Sequence, residues 1–121
     1  MQLKVLDQEL SVCKVAEIPQ AIYDTELYFI AQTDEELSLV CETNMAPTSA
    51  HEREDGWRAF RIEGVLDFSL VGILSKISGV LAEAKVGIFA ISTFNTDYIL
   101  VKAEQLNRAL AALEIAGYRI V

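Results

Sequence analysis

The chain has 121 residues and a hydrophobic fraction of 52%, which supplies a core for one compact unit, or for two very small units that share one, and excludes an intrinsically disordered chain. Its formal net charge of -8 argues against nucleic acid and anionic membrane as partners, because phosphate binding needs clustered Lys and Arg. The sequence shows neither an apolar run of transmembrane length nor the layout of a signal peptide, so we expect a cytoplasmic location.

The residues that most often carry chemistry are few. Cys13 and Cys41 stand in separate apolar, strand-like runs, which favours reduced core thiols over a disulfide. His51 is the only histidine and lies in a polar stretch. With no ligand spacing typical of a metal site and no pairing of a nucleophile with a base, the sequence predicts no metal, no cofactor and no catalytic activity.

In chain order, the first elements are extended. Alternating apolar residues over 3–15 predict two short strands or one long bent strand, most clearly over 10–15. A short helical turn is expected at 19–24, because Pro19 favours the first turn of a helix. The β-prone runs 27–32 and 37–43 flank a polar turn and predict a hairpin.

The middle of the chain changes character. Residues 45–56 are polar, contain Pro47 and end in a charged run, which predicts a loop. Residues 57–62 alternate again and predict a strand that leads into Gly64. An acidic turn is expected at 67–69.

Two amphipathic helices are predicted in the second half, over 69–85 and 105–116, from apolar residues that recur at helical spacing. Asp67 or Ser69 can cap the first helix, and Gly87 and Gly117 are expected just past the two helix ends. Strands are predicted over 88–94, 98–103 and 118–121, with a turn at 95–97.

The second half therefore reads βαββαβ, and the first half reads as a weaker version of it. The segments TELYFIAQTDEELSLVCE and IFAISTFNTDYILVKAE share one layout, an apolar strand, a turn and a Leu-rich or Val-rich strand, which indicates a degenerate internal duplication. The predicted fold class is α+β, with tandem ferredoxin-like halves and antiparallel sheets. We expect a degenerate half at 1–60 and a complete half at 61–121.

The turn before the first predicted helix is the best candidate for a ligand site. Free amide groups at a helix start can accept a carboxylate, and Asp67 beside them can pair with an ammonium group. Asp67 can equally serve only as a helix cap. Gly72 can admit a ligand close to the backbone or pack against a strand. Asp97, at the predicted hairpin tip, is a second candidate or an ordinary turn residue.

The segments GVLDFSLVGIL and ISTFNTDYILVKAEQL resemble the ACT domain, a small βαββαβ regulatory module that binds amino acids. The whole chain is similar to small bacterial tandem-ACT proteins, to the regulatory region of aspartate kinase and to the CASTOR arginine sensors. The resemblance implies a non-catalytic module that binds an amino acid at the seam between ACT halves, and it also implies a homodimer. The alternative is a structural or protein-interaction module with a vestigial ligand site.

The resemblance also implies which residues contact the ligand. Arginine is disfavoured as the ligand, because Leu70 stands where the arginine sensors carry a polar side chain. The implied contacts are Ser38, Leu39, Gly64, Asp67, Leu70, Val71 and Asp97.

Overall fold

The structure, a computed structural model, describes residues 1–63 and 71–121. The chain divides into two compact units. The N-terminal unit consists of Gln8–Trp57, and the C-terminal unit consists of Met1–Asp7 together with Arg58–Val121. The predicted boundary between halves at residue 60 stays a prediction.

The described residues form strands, two α-helices and short 3₁₀ turns. The strands are β1 (Gln2–Val5), β2 (Leu10–Lys14), β3 (Tyr28–Gln32), β4 (Leu37–Glu42), β5 (Glu52–Ile62), β6 (Phe89–Ser92), β7 (Asp97–Lys102) and β8 (Arg119–Ile120). The helices are α1 (Ile73–Glu83) and α2 (Leu106–Ile115), and the 3₁₀ turns are Gln20–Asp24, Thr43–Met45 and Ala103–Gln105. The N-terminal extended region is thus two short strands, one of the two arrangements that its pattern predicts.

The N-terminal unit is a four-stranded antiparallel sheet with the order β3-β4-β2-β5, to which β5 contributes its first residues. The predicted β3–β4 hairpin and the turn after Pro19 are confirmed. One face of the sheet carries a small core, in which both cysteines are buried and free, as the sequence predicts. The buried residues of this core are Cys13, Val15, Ile22, Leu39 and Cys41.

The predicted loop over residues 45–56 is wrong at its C-terminal end, because β5 begins at Glu52. The charged run has no alternation that would indicate a strand, and its side chains are exposed. Pairing with β2 makes it a strand, since Lys14 faces Glu52 and Val12 faces Glu54 across the ladder. A register shift between Leu10 and Val12 interrupts that ladder.

A polar network secures the 3₁₀ turn Thr43–Met45 to the sheet. The Arg53 guanidinium donates to the carbonyl oxygens of Thr43 and Ala46, both at 3.4 Å, and to Asp55 Oδ1 at 2.7 Å. Asp55 Oδ1 also accepts a hydrogen bond of 2.6 Å from the fully buried hydroxyl of Ser11. Side-chain hydrogen bonds thus hold this turn, which corresponds to the 3₁₀ turn Ala103–Gln105 of the other unit.

The C-terminal unit has the predicted βαββαβ order, formed by β5, α1, β6, β7, α2 and β8. Its strand order is β6-β7-β5-β1-β8. If the strands of each unit are numbered along the chain from β2 and from β5, both sheets have the order second, third, first, fourth. The C-terminal unit differs only in that β1 lies between its first strand, β5, and its fourth strand, β8. β1 runs antiparallel to β5 and parallel to β8. The fold is therefore α+β with ferredoxin-like halves, and the first half is degenerate, as predicted.

Both helices cover the core of the C-terminal unit, which is larger than the other core. The apolar spacing of α2 predicts Leu106, Leu110 and Leu113 on its inner side; Leu106 and Leu113 are buried, and Leu110 is partly buried against the core. The buried residues are Leu3, Phe60, Ile62, Ile77, Leu81, Val86, Ile99, Val101, Leu106, Ala109 and Leu113.

The two hairpins repeat each other at a spacing of sixty residues, which supports the predicted duplication. Phe29 pairs with Val40 in the first hairpin, and Phe89 pairs with Leu100 in the second. The turns also match: the amide of Thr33 donates to the carbonyl of Glu36 at 2.9 Å, and that of Thr93 donates to Thr96 at 2.8 Å.

The ends of α1 differ from the prediction. The helix begins at Ile73, after Gly72 in a left-handed conformation (φ 80°), whereas the predicted caps Asp67 and Ser69 lie outside the described residues. The predicted role of Gly87 at the other end is wrong, because Lys85 takes the left-handed position instead (φ 62°). The helix is closed before residue 87, where the amide of Val86 donates to the carbonyl of Leu81 at 2.9 Å.

The end of α2 follows the prediction. Gly117, at the position that corresponds to Lys85, has φ 103°. The amide of Tyr118 donates to the carbonyl of Leu113 at 3.0 Å, so both helices end in the same hydrogen-bond pattern. Glycine is the residue that best tolerates this conformation, and only one of the two helices has it there.

Candidate functional site

A cavity of about 290 Å³ opens within the C-terminal unit, where the start of α1 meets the end of α2. Its lining combines apolar residues and two glycines with one lysine and one tyrosine. The lining residues are Met1, Val71, Gly72, Ile73, Lys76, Ala116, Gly117 and Tyr118.

The first turn of α1 presents backbone amides at this cavity. The first intrahelical hydrogen bond runs from the amide of Lys76 to the carbonyl of Gly72, at 2.8 Å. The three amides between these residues therefore have no acceptor inside the helix, and Gly72 has no side chain with which to cap them. The positive end of the helix dipole adds to their preference for an anion.

Two side chains give the cavity its chemistry. Lys76 is exposed and lies one turn beyond Gly72, on the same side of the helix. Tyr118 is partly buried, and burial raises the pKa of its phenol. Because the phenol stays protonated at neutral pH, both groups can donate hydrogen bonds to a carboxylate.

Among the predicted site residues, Val71 lies at this cavity and is 94% exposed. Three others lie outside the described residues: Gly64, Asp67 and Leu70. The predicted ligand turn is thus described only at its C-terminal end, where it meets α1.

Asp97 belongs to the same unit but does not line the cavity. Its Oδ1 accepts a hydrogen bond of 2.5 Å from the hydroxyl of Ser92, its partner in the β6–β7 register. The buried hydroxyl of the adjacent Thr96 donates to the carbonyl of Ile62 at 2.7 Å. Since Ile62 is the last residue of β5, this bond fixes the β6–β7 turn at the end of the sheet where β5 ends.

The other two predicted contacts lie in the N-terminal unit. Ser38 is half-buried on β4, and its hydroxyl donates to Glu36 Oε1 at 2.6 Å. The side chain of Leu39 is fully buried in the core. Its backbone lies between β2 and β3, facing Cys13 on one side and Ile30 on the other.

The sequence does not single out Lys76 or Tyr118. The stripe of apolar residues sets the inner side of the predicted helix and leaves Lys76 on the outer side. A signal was nevertheless present, since a residue four positions after a helix-starting glycine lies above it. Tyr118 reaches the cavity because Gly117 turns the chain at the end of α2.

No helix within the described residues, 1–63 and 71–121, is both long and apolar enough to cross a membrane. Nor does this part of the chain bring together three or more His, Cys, Asp or Glu side chains in an arrangement that could hold a metal ion.

A comparison with protein families matches β5 and most of the C-terminal unit. A family model described as the ACT domain matches residues 52–114, which is more than half of the chain. The match begins at the first residue of β5 and ends in α2.

Solved structures support the same fold along the whole chain. A protein from Agobacterium tumefaciens is 29% identical, with a TM-score of 0.90 over 99% of this chain and 91% of that one. A Vibrio cholerae protein described as a possible transport protein is 20% identical, with a TM-score of 0.72 over 93% and 86%. The ligand-free regulatory subunit of Thermus thermophilus aspartate kinase is 10% identical, with a TM-score of 0.67 over 97% of each chain.

Proposed function

The chain belongs to the ACT-domain family, whose modules are typically regulatory and bind small ligands, and from this we propose that it is a non-catalytic regulatory module that binds an amino acid at the seam between its ACT halves. The family match over residues 52–114 carries the proposal. The homodimer and the cytoplasmic location expected from the sequence are part of the same proposal. Ligand binding would act by favouring one arrangement of the halves over another.

The start of α1 supports an amino acid as the ligand. Its free amides and the ammonium group of Lys76 suit a carboxylate, while the wall formed by Ile73 and Ala116 suits an aliphatic group. We propose that Asp67 pairs with the ligand ammonium group and that Asp97 contacts the ligand side chain or the seam. Gly64, Leu70 and Val71 would shape the site, and Ser38 and Leu39 would complete it from the N-terminal half.

Calorimetric titration with each of the twenty amino acids tests this proposal. We expect one or a few to bind, and Asp67→Ala to abolish the heat that they produce. Lys76→Met should weaken binding about tenfold, the loss expected when one charge-assisted hydrogen bond worth about 1.4 kcal/mol is removed.

Lys85→Met is the matched control, because Lys85 lies at the other end of α1 and does not line the cavity. It should bind as the unaltered protein does. A chain that binds none of the twenty amino acids contradicts the amino-acid proposal. Unchanged affinity in Asp67→Ala shows that the site lies elsewhere. Light scattering with and without the ligand tests the homodimer.

A further inference from the structure

The outermost strand of the N-terminal unit leaves backbone groups without a partner in the described residues. β3 pairs with β4 on one side and ends the sheet on the other. Thr33 and Glu36 form a hydrogen-bonded pair, and hydrogen-bonded pairs alternate with non-hydrogen-bonded pairs along an antiparallel ladder. The residues of β3 whose amide and carbonyl groups face away from β4 are therefore Tyr28, Ile30 and Gln32. These groups form an open edge onto which another strand can add.

The strand itself has none of the usual protection against strand addition. Its sequence, YFIAQ, has no charged residue and no proline. The side chain of Ile30 is 38% exposed, and Ala31 and Gln32 are also exposed. Tyr23, which is 49% exposed, packs edge-to-face on Tyr28 with ring centroids 5.8 Å apart and extends the apolar surface at one end.

Carboxylates stand at both ends of this edge. Asp24 and Glu26 precede the strand, and residues 34–36 follow it as Asp-Glu-Glu, all of them exposed. They belong to a unit with eleven acidic residues against two basic ones, Lys14 and Arg53, which gives a net charge of -9. The C-terminal unit has seven acidic and eight basic residues, so the net negative charge of the chain lies on the unit that contains β3.

These charges determine which kind of strand can pair with β3. In an antiparallel pair formed with a second copy, the start of one strand meets the end of the other, which would place Asp24 and Glu26 beside the carboxylates of 34–36. Such like-charge contacts oppose self-pairing. A strand with Lys or Arg at its two ends would place opposite charges at the same positions.

We propose that the β3 edge is a docking site for an extended segment of another protein, with apolar residues at its centre and Lys or Arg on both sides. The central residues hydrogen-bond to Tyr28, Ile30 and Gln32 as an added strand, and the basic ends pair with the carboxylates. None of the residues of this edge lines the cavity at the start of α1. Among the described residues, the edge adjoins the proposed amino-acid site only on β4, where Ser38 donates to Glu36 and Leu39 pairs with Ile30.

A pair of synthetic peptides tests the proposal on the intact chain. The probe is Lys-Lys-Thr-Val-Thr-Val-Thr-Lys-Lys with blocked ends, and the comparison peptide has Glu in place of each Lys. In an amide NMR titration, the basic probe should shift the signals of Tyr28, Ile30 and Gln32, and leave Ala90 and Ser92 on the neutral edge β6 unshifted. It should bind at least about tenfold tighter than the acidic peptide, and less tightly as salt is added.

Substitutions at equivalent positions of the two hairpins provide the control. Ile30→Pro removes an outward amide from β3 and should abolish binding, whereas Ala90→Pro removes the corresponding amide from β6 and should leave it unchanged. Circular dichroism checks that both variants fold. If Ile30→Pro does not fold, the titration of the unaltered chain with the two peptides decides the proposal. No shift with the basic probe at about 1 mM, equal binding of both peptides, or a dimer that Ile30→Pro dissociates would overturn the proposal.

Discussion

The β3–β4 and β6–β7 hairpins have equivalent backbone structures and lie sixty residues apart in the chain. Both have the same register and the same Thr-closed turn, and β4 and β7 bury the same three consecutive positions. They differ in what surrounds them. The second hairpin packs under two α-helices, whereas the first is accompanied by 3₁₀ turns and the polar network of Ser11, Arg53 and Asp55.

This difference shows that the hairpin, rather than the helices, is the part of the repeat that both units share. Where the helices remain, the unit has a large core, a cavity at a helix start and a charge near zero. Where they are absent, the unit has a smaller core and carries the acidic charge. We infer that the two halves have diverged, and the candidate site lies beside the two α-helices.

The largest expected effect is at the buried position that the hairpins share, Leu39 in the first and Ile99 in the second. Replacing either by Ala should lower the free energy of unfolding by about 2–5 kcal/mol, and Ile99→Ala should be the costlier because its core is larger. Denaturant unfolding measures both. Gln32→Ala, on the exposed end of β3, should stay within about 0.5 kcal/mol. Equal costs at Gln32 and Leu39 would contradict the assignment of the core.

At a second equivalent position, the first hairpin has Cys41 and the second has Val101. Only the cysteine can make the stability of its hairpin depend on pH in the alkaline range. Burial, with a smaller contribution from neighbouring Cys13, raises the pKa of the Cys41 thiol from 9.0 to about 12. The folded chain therefore holds this proton after the unfolded chain has lost it. Stability that is complete below pH 9 should fall between pH 9 and about 12, by roughly 1.4 kcal/mol per pH unit from this group.

Cys41→Val gives the first hairpin the residue of the second and removes this titration. At neutral pH the free energy of unfolding should change by less than about 1.5 kcal/mol. Above pH 9 the variant should lose stability less steeply than the unaltered chain in urea unfolding at a series of pH values. Parallel curves for the two proteins would show that the buried thiol does not govern this range.

The turns should differ at Thr96 and Glu36, the last residues of the two equivalent turns. Thr96→Val removes the buried hydrogen bond to the carbonyl of Ile62 and should cost about 1–3 kcal/mol of stability. Glu36→Gln, at the exposed position of the other turn, should stay within about 0.5 kcal/mol. Thermal unfolding compares them, and a harmless Thr96→Val would mean that this bond does not hold the end of β5.

The smallest expected effect concerns the helices that only the C-terminal unit has. Lys85→Gly should raise the free energy of unfolding by about 0.5–1 kcal/mol, because glycine adopts the left-handed position without steric cost. Gly117→Ala, at the same position after α2, should lower it by about 1 kcal/mol. Changes of the same sign in the two variants would contradict the equivalence of the helix ends.

Much of this fold is predictable because its signals are local. The hairpins, α2 and its terminal Gly117 follow from β-propensity, helical spacing and turn chemistry within a few residues. The βαββαβ order of the second half and the family resemblance follow from the same local patterns.

What the sequence does not predict depends on distant partners. Strand β5 begins in a charged run only because β2 pairs with it, and β1 joins the C-terminal unit although it lies at the other end of the chain. Lys85, rather than Gly87, closes α1, because the amide of Val86 already bonds to the carbonyl of Leu81, two residues earlier than a closure at Gly87 would. In the candidate site, Val71 at the helix start is predictable, whereas Tyr118 is brought there by the end of α2.

Amide-resolved NMR during titration with each amino acid shows whether the start of α1 receives a small ligand. A binding amino acid should shift the amide signals of Gly72, Ile73 and Gly117, which line the cavity, and these shifts should saturate together with the calorimetric signal. Shifts confined to other parts of the chain, or no shift with any amino acid, would contradict binding at this site.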